Sequence, residues 1–144
     1  MIETHFQKEL EELKENLIKM AAMVEEAIRD SVQSLVKRDS ELAQKTFEFE
    51  DRINKMEIAI DEMCLKLLAL RQPMAVDLRF ITSAMKIITD LERMGDQAVN
   101  IAERALELNE EPLLKPYIDI PRMAAIARGM TRDALDAFVR KDTR

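Results

Sequence analysis

Phe6, Leu10, Leu13, Leu17, Met20, Val24, Ala27, Ser31 and Leu35 recur with alternating steps of four and three residues. At about 3.6 residues per turn these positions fall on one face of a helix, with glutamate, lysine and asparagine between them. A seam held for about four heptads requires a long helix packed against other long helices. The spacing predicts one helix over residues 4–38, with a break and an N-cap candidate at Asp39 and Ser40.

A second seam, Phe49, Ile53, Met56, Ile60, Met63, Leu67 and Leu70, predicts a helix over residues 41–70. Pro73 ends it, because proline lacks the backbone donor and disfavours helix at the residue before it. Proline suits the start of a third helix, predicted over residues 74–108, with Asp77 near its positive end. The apolar arc of this third helix is wide, running from Phe80 and Ile81 through Leu91 to Ala102 and Leu106. Such an arc needs more than one neighbour. Two glycines, four prolines and no tryptophan in 144 residues agree with an all-α chain.

Pro112, Pro116 and Pro121 mark a linker, after which a fourth helix begins. Shifting the chain by 103 residues lays Met20-Ala21-Ala22-Met23 on Met123-Ala124-Ala125-Ile126. The same shift lays Val36-Lys37-Arg38-Asp39 on Val139-Arg140-Lys141-Asp142. The expected organisation is therefore an antiparallel three-helix bundle over residues 1–110, a proline-rich linker over 111–121, and the opening helix of a second, incomplete repeat over 122–144.

Charge and side-chain chemistry narrow the function. Twenty-two basic against 28 acidic residues leave a net charge of −6, which disfavours nucleic acid as a partner. Cys64 is the single cysteine, so no internal disulfide is required. It falls inside the apolar arc of the second helix and reads as a buried thiol. No apolar run approaches the roughly 18–20 residues of a membrane span, and no signal peptide is evident. These features predict a cytoplasmic protein without direct membrane insertion. Met20, Met56, Met63 and Met85 occupy seam positions and read as core filling.

The acidic residues of the second and third helices form a pattern. On a wheel with Ile81 at zero, Glu92 lies at about 20° and Asp96 at about 60°, beside Met85, Ile88 and Val99. On the second helix, Glu57, Glu50, Asp61 and Asn54 border the apolar face, at about 40° to 100° from Ile53. A short turn near Pro73 makes the two helices antiparallel and brings the strips to face each other, with Glu50 and Asn54 opposite Glu92 and Asp96. Oxygen ligands on two facing helices suit a hard cation or a carboxylate-bridged metal. The alternative is a solvated polar border neutralised by Arg93, Arg104 or Lys55. Gly95 beside Asp96 costs about 1 kcal/mol relative to alanine in a helix, and its use is a close helix approach. Arg79 points away from the seam, either to a partner or to water.

Asp77-Leu78-Arg79, Asp90-Leu91-Glu92-Arg93-Met94-Gly95-Asp96 and Asn100-Ile101-Ala102-Glu103 closely resemble the signature of the PhoU family of bacterial phosphate-uptake regulators. Leu68-Ala69-Leu70 with Gln72-Pro73, and residues 110–117, fit the same family over essentially the whole chain. The resemblance implies two three-helix bundles carrying E/D-x-x-x-D motifs that bind an iron cluster or another divalent metal such as zinc, manganese or magnesium. Carried over by position, Glu92-x-x-x-Asp96 matches the motif, and Glu50-x-x-x-Asn54 matches it with Asn in place of an acid. The candidate ligands are therefore Glu92, Asp96, Glu50, Asn54 and Glu57.

The resemblance also implies a regulatory adaptor that restrains phosphate uptake and phosphate-starvation signalling. Its partners would be the phosphate ABC transporter and a sensor histidine kinase. No nucleophile–base pair, glycine-rich phosphate loop or cofactor motif marks an enzyme. A di-iron carboxylate enzyme would need Glu-x-x-His pairs that the sole histidine, His5, cannot supply. A plain helical scaffold without metal remains the other reading. The stripe Met123, Ile126, Met130, Leu135 and Phe138 needs cover, and the proline-rich linker disfavours a tight reversal. A homodimer, or exchange of the last helix between chains, is the expected solution.

Overall fold

A computed structural model describes residues 4–110 and 119–142. Four helices account for nearly all of them: α1 (His5–Val36), α2 (Ser40–Arg71), α3 (Ala75–Leu108) and α4 (Asp119–Asp142). The first three pack pairwise along their lengths as an antiparallel bundle. The α1 seam is buried from Leu10 to Leu35, with Leu13, Leu17, Met20 and Val24 sealed from solvent. Ile53, Ile60 and Leu67 of α2 and Ile81, Ala84 and Ala98 of α3 complete the core.

Local chemistry sets the helix ends. Thr4 caps α1 in a reciprocal box: its hydroxyl accepts from Gln7 N at 3.1 Å, and its own N–H donates to Gln7 Oε1 at 3.0 Å. Asp39 caps α2, accepting from the Glu41 and Leu42 amides at 3.0 and 3.3 Å. The α1–α2 turn passes through Arg38 at φ 56, and its guanidinium donates to the Asn109 carbonyl at 3.1 Å. Asn109 in turn donates to Ser40 Oγ at 3.1 Å, fastening the α3 end to the α2 start. At the opposite end, Gln72 takes a left-handed conformation at φ 44, and Pro73 lies just ahead of α3 rather than within its first turn.

Three expectations are corrected. Leu70, placed in the α2 seam, is exposed, because α2 runs past the end of the core there. The last helix was expected to stay off its own bundle; instead α4 lies antiparallel in the groove between α1 and α3. Leu135 and Phe138 pack against the core, and Arg132 joins Glu25 through two hydrogen bonds of 2.6 and 3.3 Å. The reversal falls within residues 111–118, outside the described residues, so the linker's own path carries no statement. Helix α4 also begins at Asp119, inside the stretch read as linker, because Pro121 is tolerated in a helix's first turn.

The α4 stripe therefore divides. Leu135 and Phe138 turn inward, whereas Ile126 and Met130 are 58% and 67% exposed. Under the shift of 103 residues, Met130 and Ala134 correspond to Ala27 and Ser31, both buried in α1. Their own side chains face outward in α4. Helix α4 thus turns part of that corresponding face outward, at Met130 and Ala134, while Leu135 and Phe138, which correspond to the buried Val32 and Leu35, face the bundle.

Candidate functional site

Antiparallel α2 and α3 come together where α3 has no side chain. A methyl group built on Gly95 would stand 3.3 Å from Ile53 Cδ1, so alanine there would press on the buried Ile53. Close approach is the use that the sequence suggested for this glycine, and it offsets the helix propensity lost.

Beside this contact the acidic border assembles. Glu57 is half-buried on α2, and its carboxyl hydrogen-bonds with that of Glu92 across on α3. Burial raises the Glu57 pKa first, then the bond to Glu92 and the negative charges of Glu92, Asp61 and Asp96, until it reaches about 7. Among the described residues, no ion pair ties a basic side chain to the border. Lys55 pairs with Asp51 at 3.2 Å and Arg104 with Glu107 at 3.6 Å, each on its own helix, and Arg93 forms no ion pair among the described residues.

The candidate residues are not equally placed. Glu92 is half-buried and meets Glu57; Asp96 is exposed but close enough to act on Glu57 through its charge. Asn54 and Glu50 lie half-buried one and two turns back along α2, and Glu50 is not among the charges that raise Glu57. Glu57, rather than Asn54, is thus the α2 residue that meets Glu92. Asp61 joins the group from the next turn of α2, as its place on the acidic strip foreshadowed. Cys64 is fully buried, and burial followed by the Asp61 charge pushes its thiol up to about 11. A thiol so placed is a core residue rather than a ligand.

Among the described residues, no three His, Cys, Asp or Glu side chains converge as a bound metal ion would require. The side chains of the border offer oxygen donors, the donor type that hard cations take. Sequence reasoning could not find the contacts that seat α4. Phe138 stacks on Phe80, and Arg132 reaches Glu25, both across long separations in the chain. An apolar groove of about 370 Å³ opens where α4 leaves α1 and α3 incompletely covered, with Ile28, Val32, Ile101 and Ala127 in its walls.

The PhoU domain family matches residues 17–105, which contain the whole acidic border. The chain belongs to the PhoU family. A phosphate-specific transport system accessory protein PhoU homolog of Aquifex aeolicus is 48% identical over 94% of this chain and 62% of its own length. The namesake from Pseudomonas putida is 46% identical over 98% of this chain and 56% of its own length. The chain thus spans about three fifths of the curated relatives it matches. The crystal structure of PhoU from Pseudomonas aeruginosa superposes with a TM-score of 0.89 at 43% identity, covering 94% of this chain and 66% of that one. The PhoU phosphate transport regulator of Streptococcus pneumoniae gives 0.82 at 34% identity, over 92% and 62% of the two chains. The PhoU fold is therefore established for the bundle together with α4. Among the described residues, no helix is long and apolar enough to cross a membrane.

Proposed function

We propose that this chain is a cytoplasmic regulatory adaptor that restrains phosphate uptake and phosphate-starvation signalling through contacts with the phosphate ABC transporter and its sensor histidine kinase. The observation that carries the reading is the family membership, with relatives named as accessory proteins of phosphate-specific transport. The interior supports a non-catalytic role: the acidic border contains no base paired with a nucleophile, and the thiol is sealed in the core. Cells lacking the complete protein should express phosphate-starvation genes in phosphate-rich medium, and restoring it should silence them. Normal repression in the deletion strain would sink the adaptor reading.

The acidic border is the place we assign to a divalent cation. Glu57 and Glu92 already meet there, and the exposed Asp96, with Glu50 and Asn54 further along α2, would have to swing in for the set to close around an ion. Asn54 gives a neutral oxygen where a second acid would favour a cluster, so this bundle suits a single hard cation such as manganese or magnesium better than an iron cluster or zinc. Once bound, the cation would supply positive charge to a border whose acids raise the Glu57 pKa. Equilibrium dialysis of chelator-free protein against manganese, iron, magnesium and zinc tests this. Binding should disappear in Glu92→Gln with Asp96→Asn while helicity is kept, and wild-type protein that binds none of them refutes the site. The uncovered Ile126 and Met130 face of α4 is the surface we assign to a homodimer, since the inward half of the stripe is already spent on its own bundle. Sedimentation that shows monomers at every concentration would remove that assignment.

A further inference from the structure

We draw no further inference here: the strongest candidate, the exposed apolar patch of Leu70, Met74, Val76 and Leu78 at the α2–α3 turn, carries none because nothing in the structure shows what covers it.

Discussion

The Phe138 ring of α4 stacks on the Phe80 ring of α3 with centroids 5.0 Å apart and planes 9° from parallel. Lys14 of α1 places its ammonium 5.5 Å from the centroid of that same Phe80 ring. Three helices thus meet at one aromatic pair, which fixes where the last helix ends its path along the bundle.

Phe138→Ala should therefore loosen α4 more than it unfolds the bundle. Loss of a half-buried ring and its stacking partner should cost about 2 kcal/mol. Amide exchange should quicken throughout α4 and remain slow in the middle of α1 and α2. Uniform quickening in all four helices would mean that α4 is part of a single cooperative unit.

The pH dependence follows from Glu57. Its pKa in the folded state is about 7, above the ordinary carboxylate value, so the folded protein holds a proton there that the unfolded chain has released. Its contribution to stability is complete below about pH 4.5 and is lost as the pH rises through about 7. In metal-free buffer, Glu57→Gln should match wild type near pH 5 and be the more stable of the two near pH 8. Urea unfolding at the two pH values measures the difference, and parallel curves would contradict it.

Cys64 should resist alkylation in the native state. Its thiol has no solvent exposure and ionises only near 11, so at pH 8 both access and thiolate are lacking. Iodoacetamide should label it only after unfolding in urea. Labelling of native protein would show that α2 opens locally around this position.

Gly95→Ala pits helix propensity against packing. The methyl group gains up to about 1 kcal/mol in the helix but must displace the buried Ile53 in a close-packed core. Stability within about 1 kcal/mol of wild type is expected for alanine, and a loss of about 2 kcal/mol or more for leucine. Thermal melts of the two variants check the order.

The three-helix bundle was legible because α1 repeats its apolar residues so regularly that each seam member from Leu10 to Leu35 is buried. Asp39 as cap and Gly95 as close approach were legible for the same reason: each is local chemistry at a fixed place in a helix. The seat of α4 was not. Its apolar stripe records that a surface is needed but not which one, and the choice rests on Phe80 and Glu25, more than fifty residues away in the chain. The acidic border was half legible. A wheel gives the face on which Glu57 and Glu92 lie, whereas their meeting depends on how far α2 slides along α3, and no residue within either helix states that.

The empty side-chain position at Gly95 therefore acts as a spacer with an electrostatic consequence. Coulomb energy rises as charges approach and as water is squeezed from between them, so the gap between α2 and α3 governs how strongly their acids feel one another. With the helices this close, Glu57 cannot lose its proton without regard to Glu92, Asp61 and Asp96. Part them by the width of one methyl group, and water would enter beside Glu57 and weaken its hold on the proton. An uncharged residue with no functional group thus sets the appetite of this border for positive charge, and evolution could retune it there without touching a single carboxylate.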